Sequence, residues 1–496
     1  MFGKGITCIF AIDFGVKMNQ NYKASNFIAL ALAGFFCIAN VLFLVTTQPL
    51  YILKVVGISQ DGKIGKIIGS LGVADELTAI IAAPLLGTLN DKITSSAYHV
   101  AGSRIIVLAS FLCISLSFIG YSQNSSIIGM FIFRLFFALG VSGCMNMLPV
   151  MLHLLSFSDF RFQKLLFWRE QDTQSENDRS VNSGKYSACV GAFTGLGALY
   201  GVYFFLPMPV IIDNFTSLSY KASLQLSYFI IGIFSMLTGL VLFKFIYNSV
   251  LGGQSDDESA EITLEHTSFI QLLKKGLVVS KQSKKIQMAH GCAFVARSST
   301  VANTVFVPLV VFTYFRKMGL CDSGTPVDGA IQECQQAYFF SAMLIGIAQL
   351  IALLSSPFWA WLIDLTLRPV TVAAIFGSVG NLALCLLGLG STPYDPRNVT
   401  CFLVVCLLGC SQYGYMLNAL GLLSSFKSNP NIGSISGLNS LCGGVGILCV
   451  SLIGGLWSDY WIMGPFFVLA IFNLALLYAS TKNYEDDMLS LPEQSD

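Results

Sequence analysis

Residues 70–92 read SLGVADELTAIIAAPLLGTLNDK. The stretch is mostly apolar and long enough to cross the ~30 Å hydrocarbon core of a bilayer as a helix. Yet it carries two adjacent acids, Asp75 and Glu76. An ionisable side chain at such depth costs about 2.5–3.5 kcal/mol on insertion scales unless it faces a bundle interior or a wet cavity. Two carboxylates in succession therefore point to a polar path through a membrane bundle.

The composition agrees. The 496-residue chain is 54% hydrophobic and 11% charged, with a formal net charge of +1, and its mean hydropathy is +0.69. A soluble domain carries about 25% charged residues, so a single water-soluble core is excluded. The near-zero net charge offers nothing to a nucleic acid. Apolar runs predict twelve spans, at 27–52, 67–88, 105–123, 127–152, 186–206, 225–247, 289–314, 338–360, 370–391, 401–424, 434–457 and 460–480. The expected architecture is an all-α integral membrane protein of two pseudo-symmetric six-helix bundles, 27–247 and 289–480. A tail (1–26), a central linker (248–288) and a second tail (481–496) complete the chain. The short apolar stretch Ile6 to Ile12 lacks a small-residue cleavage site, so residues 1–26 read as a retained tail rather than a signal peptide.

Most of the 28 Lys and Arg residues fall on the side of the two tails. By the positive-inside rule both termini are expected in the cytosol. The sequons at Asn124, Asn214 and Asn398 all lie on the opposite side, and Asn214 and Asn398 are the glycosylation candidates. Cys321 and Cys334 share a loop on that side, where a disulfide suits an oxidising compartment; two unrelated thiols are the alternative. The linker segment SFIQLLKKGLVVSKQSKKIQM alternates apolar residues with Lys, as an interfacial amphipathic helix does.

Short motifs recur at span ends. Gly87 and Asp91–Lys92 close the second span, and Gly102-Ser-Arg104 opens the third. Arg134, Gly140 and Gly143 follow in the fourth; Gly191, Gly195, Gly197 and Gly201 in the fifth; Asp364 and Arg368 between the eighth and ninth. In this order the set resembles the signatures of the major facilitator superfamily, and the chain resembles fungal members of it. The separation of Lys92 from Gly102 is longer than the family's, the second-half signature lacks its glycine, and the fifth span lacks the Gly-Pro step of antiporters. The resemblance implies a twelve-helix secondary transporter, with Gly87, Asp91, Lys92, Gly102, Arg104, Asp364 and Arg368 as gating-loop candidates.

Arg134 stays charged and needs an acid or an anion. With Asp75 and Glu76 it forms the mid-span charge of the first half. Proton coupling follows if one carboxylate protonates as Arg134 or substrate changes partner; a static latch between spans two and four is the other reading. Adjacent helical residues point about 100° apart, so one acid faces the cavity and the other a neighbouring span, and the sequence does not choose. Arg297 in the seventh span either binds an anionic group or snorkels to the interface. Asn40, Gln349, Gln412 and Tyr415 are polar cavity candidates, as are Tyr413 and Asn418, although each can equally bridge helices.

No nucleotide loop, nucleophile motif or metal-ligand spacing is present, so neither an ATP-driven pump nor an enzyme is expected. The expected function is alternating-access transport of a small organic solute, coupled to a proton gradient and needing no cofactor, by a monomer in the lipid bilayer. A proton-independent facilitator and a non-transporting sensor remain open, as do the solute and the choice between plasma membrane and endomembrane.

Overall fold

A computed structural model describes residues 22–58, 61–95, 100–156, 158, 183–216, 219–248, 268–320, 335–365, 368–389, 394–426, 431–458 and 460–489. Among them twelve helices are long and apolar enough to cross a bilayer. In the first half, span one is Ala24–Val56, span two Ile67–Thr94, span three Gly102–Gln123, span four Ile127–Ser156, span five Gly184–Phe215 and span six Tyr220–Phe245. In the second, span seven is Lys284–Lys317, span eight Phe340–Asp364, span nine Pro369–Leu387, span ten Val399–Ser424, span eleven Ile432–Ser458 and span twelve Gly464–Lys482. Cys321 and Cys334 lie outside the described residues, as do the outer ends of both tails.

Local chemistry sets the helix ends. Ser219 caps span six through the Ala222 N–H, and Ser283 caps span seven through Ile286 N–H. The Ser283 cap starts span seven before the predicted 289, which leaves Arg297 thirteen residues, or about 20 Å, from that end. Span two likewise outruns its predicted end at 88, because Leu89 to Thr94 continue the helix to Asp91 and beyond. The linker helix, Phe269–Gln282, opens on a Ser268–Gln271 capping box.

Each half has its own apolar core. In the first, Phe43, Phe111, Phe118 and Tyr228 pack from spans one, three and six. In the second, one cluster gathers Phe306, Phe315 and Phe466, and another Trp359, Tyr413 and Tyr415. Large apolar side chains such as Ile128, Leu403 and Leu386 point outward, where the solvent is lipid rather than water.

Spans two, five, eight and eleven form the seam between the halves, two against eleven and five against eight. The seam has a repeating geometry. Ile80 lies against Gly444, and Leu353 against Gly195; Gly87 lies against Gly433, and Ala360 against Gly184. Spans five and eleven also pass into π-helical turns, Gly201–Phe205 and Val450–Gly454, at the same offset from Gly184 and Gly433.

With twelve spans, the start of span one and the end of span twelve lie on one side, termed the terminal face. There the seam is tight: a Cβ on Gly87 would overlap the Gly433 carbonyl oxygen, and one on Gly437 would sit 2.5 Å from the Ala83 carbonyl oxygen. Toward the opposite, distal face the same helical stripes separate. Gly69 and Gly72 on span two, Gly346 on span eight and Gly455 on span eleven meet no neighbouring atom within 4 Å. The halves form a wedge, sealed at the terminal face and open at the distal one.

Candidate functional site

Asp75 and Glu76 point to different neighbours. Arg134 Nε donates to both oxygens of Asp75 at 2.9 Å, and its Nη2 to Oδ2 at 2.6 Å. Its Nη1 donates to Gln48 Oε1 on span one at 2.8 Å. Arg134 is 6% exposed and Asp75 24%. An aromatic wall surrounds the pair. Phe137 lies 5.7 Å from the guanidinium carbon, and the rings of Tyr51, Tyr121 and Tyr228 pack 5.2–5.5 Å apart. Tyr51 donates to the Tyr121 carbonyl at 2.7 Å, and Tyr228 shares a 2.8 Å bond with Thr47. A charge pair so enclosed is held on all sides, and removing one partner of such a pair typically costs about 3–5 kcal/mol.

Glu76 turns the other way, toward the second half. It is half-buried, and its Oε2 lies 3.9 Å from where a Gly444 Cβ would be. The neighbouring Gly443 lies against Arg297, whose Cγ would sit 2.8 Å from an added Cβ. The Gly443–Gly444 step of span eleven thus separates Glu76 from Arg297 by two missing side chains. The exposed Arg297 guanidinium attracts the Glu76 carboxylate across this step. Glu76 is nine residues, about 14 Å, from the distal end of span two, near mid-bilayer.

At the terminal face Asp91 reaches across the seam to the first turn of span eleven. Its Oδ1 accepts Gly433 N–H at 2.8 Å; its Oδ2 accepts Ser434 N–H at 2.7 Å and Ser434 Oγ–H at 2.6 Å. These are orphan donors of a helix N-terminus, where negative charge is favoured. Asp364 does the same from span eight: its Oδ1 accepts Gly184 N–H at 2.9 Å, with Lys185 in electrostatic reach. Asn146 adds a third tie, donating to the Ala83 carbonyl at 2.6 Å and accepting from Ser440 Oγ–H, while its carbonyl takes Ser436 Oγ–H at 2.8 Å. His153, at the end of span four, bonds the carbonyls of Leu423 and Ser424 at the end of span ten. The linker helix lies beneath, with Gly276 against Ser434.

The remaining candidates disperse. Arg104 does not meet Asp91; it donates to the Phe243 carbonyl at 2.8 Å and lies 4.9 Å over the Phe243 ring, capping span six. Gly102 packs against Asn90, and Lys92 and Arg368 are exposed. Asn40 accepts from Ser235 at 3.1 Å inside the first bundle, and Tyr415 donates to Asn473 inside the second. Gln412 bridges Thr300 (2.9 Å) and Asn303 (2.6 Å) on span seven. Of the polar group only Gln349 is exposed beside the seam; matching Pro84 with Pro357 and Asp91 with Asp364 puts it where Glu76 stands in the other half. Asn214 and Asn398 are exposed at the distal face. The Asn124 side chain is tied into its own turn by Ser126.

Two six-helix halves meeting at a latched seam, with charged groups in the open wedge, define the class of secondary transporters. The chain belongs to the Major Facilitator Superfamily, whose model matches residues 30–451. Its fold is similar to that of the proton:xylose symporter XylE bound to 6-bromo-6-deoxy-D-glucose, with 12% identity, TM-score 0.61, and 93% of this chain and 96% of that one covered. It is similar to the human organic anion transporter MFSD10 (12% identity, TM-score 0.55, 93% and 100% covered). It is also similar to FucP in the outward conformation (14%, 0.54, 92% and 97%). A search of curated protein sequences finds no match. The family and these neighbours are transporters, not enzymes.

Proposed function

We propose that the protein is a proton-coupled transporter that carries a small organic solute by alternating access, with the terminal face in the cytosol. One observation carries this reading: Asp75 is spent on Arg134, while Glu76 faces the open wedge at mid-bilayer without an ion pair among the described residues. A carboxylate placed there can take a proton from the distal side and change what the facing Arg297 attracts. The Lys/Arg bias supports the assignment of faces. Asp91 and Asp364 hold the cytosolic side shut while the wedge is open, and breaking their helix-end bonds opens the other state.

The test compares metabolite uptake by cells with and without the protein at two external pH values, alongside Glu76→Gln. Uptake that rises at acid pH and loses that dependence in the variant is expected. Flux indifferent to the pH gradient in the unmodified protein would make it a facilitator; ligand binding without flux would make it a sensor.

A further inference from the structure

The wedge places ionisable groups of opposite sign on opposite halves. The first half supplies Asp75, Glu76 and Arg134, and the second supplies Arg297. Pseudo-symmetric contacts underline the asymmetry. Gly446 meets the Phe294 carbonyl as Gly197 meets the Phe35 carbonyl, which sets Arg297 against Ile38 of span one. Gln349 and Ala348 stand in the places of Glu76 and Asp75. With Asp75 and Arg134 cancelling in their shared bonds, the mid-span charge facing the wedge among the described residues is one acid and one guanidinium, on either side of the Gly443–Gly444 step.

We infer that Arg297 is the binding residue for a singly charged anionic solute, a monocarboxylate, and that Glu76 must carry a proton whenever that anion is bound. This deepens the transport reading above and rests on it. When the seam closes over the site, uncompensated charge becomes expensive. Empty, ionised Glu76 balances Arg297. Loaded, the proton sits on a Glu76 oxygen, the solute carboxylate takes over the guanidinium, and the sum is again zero. Anion without proton leaves one excess negative charge, and proton without anion one excess positive charge. Both resist occlusion, so one proton and one anion cross together and no net charge moves.

The groups around Glu76 fit this exchange. Asp75, its neighbour on span two, is held by Arg134 of span four. Span eleven brings Gly444 to it and Gly443 to Arg297, with no ionisable side chain at that step. On span seven, besides Arg297, His290 lies two turns toward the terminal face and is engaged by Asn439 at 3.2 Å. The missing side chains at Gly443 and Gly444 let Arg297 and Ile80 pack close against span eleven, and a solute carboxylate reaches the exposed Arg297 from the wedge.

The test uses the purified full-length protein in liposomes, pH 7.5 inside and 5.5 outside, facing a fixed set of labelled probes. These are pyruvate, L-lactate and D-gluconate as monoanions, glycine and L-alanine as zwitterions, choline as a cation, and D-glucose and myo-inositol as neutral solutes. The expected result is accumulation of at least one monoanion toward about 100-fold, tenfold per pH unit at one proton each, unchanged when a potassium–valinomycin potential is imposed. Glu76→Gln should retain measurable exchange of that anion but lose accumulation. Arg297→Gln should lose uptake by tenfold or more, with Arg297→Lys recovering part of it and showing that the fold survives. Accumulation of choline, glucose or inositol alone, a current moving with the anion, or an Arg297→Gln variant that still accumulates it would overturn the anion assignment while leaving transport in place. If no probe moves, the transport reading falls with it.

Discussion

Replacing Asp91 by Asn probes the seal with the smallest change of shape. The carboxylate serves span eleven with both oxygens, Oδ2 for the two Ser434 donors and Oδ1 for the Gly433 N–H. An amide has one oxygen. The best asparagine rotamer keeps the Ser434 donors and turns its NH2 against the Gly433 N–H, losing one charge-assisted bond, worth about 1.5–3 kcal/mol. Losing the charge at the helix N-terminus costs about 0.3–1 kcal/mol more. A sum of about 2–4 kcal/mol shifts the balance between terminal-closed and terminal-open states about 30-fold or more, at 1.4 kcal/mol per factor of ten. Spin labels replacing Lys244 and Lys482, exposed on opposite halves near the terminal face, report this as a distance distribution. The unmodified protein should show one short population, and Asp91→Asn a substantial longer one. Asp364→Asn should lengthen it as well, because its carboxylate faces the Gly184 and Lys185 N–H groups at the start of span five. An unchanged distribution in Asp91→Asn would refute the idea that these bonds hold the seam.

Gly87→Ala sets a methyl against the Gly433 carbonyl, and backbone on both sides cannot yield cheaply. The same labels should report terminal-face opening. Asp75→Asn or Arg134→Gln should each destabilise the first bundle by about 3–5 kcal/mol. The double variant should cost clearly less than the sum, measured as detergent or denaturant unfolding in a double-mutant cycle. In the distal loop before span ten, Asp395 has its carboxyl raised by burial but lowered more by Arg397 and Tyr314, so it lies below the ordinary carboxylate range. A depressed value means its stabilisation is present above the unfolded value and fades only as pH falls through the lowered one. Arg397→Gln should therefore leave the pH profile of transport between 5.5 and 7.5 unchanged, which separates that profile from the loop.

The helix count and the acid pair could be read directly, because a 20-residue apolar run and a charge inside it are local signals. The destination of Asp91 could not. Its partners are 342 and 343 residues away, and the nearby Arg104 offered a closer basic neighbour that in fact caps span six. Tyr415 and Asn40 looked like cavity residues but face polar partners within their own bundles, since a polar side chain in a span carries no mark of which way it points. Gln48, beside Pro49 in span one, bears no motif. Its role had a signal in stoichiometry: a guanidinium with five donors needs more acceptors than one carboxylate supplies. The match of Glu76 to Gln349 was also available, since Pro84 and Asp91 repeat as Pro357 and Asp364 with identical spacing. Weak internal symmetry becomes visible only once contacts show which helices correspond.

The central claim is that Glu76, not Asp75, takes and releases the proton. Infrared difference spectra of the reconstituted protein between pH 7.5 and 5.5 should show a protonated-carboxyl C=O band on acidification. The account predicts that this band disappears in Glu76→Gln and persists in Asp75→Asn. A band that survives in Glu76→Gln and vanishes in Asp75→Asn would contradict it.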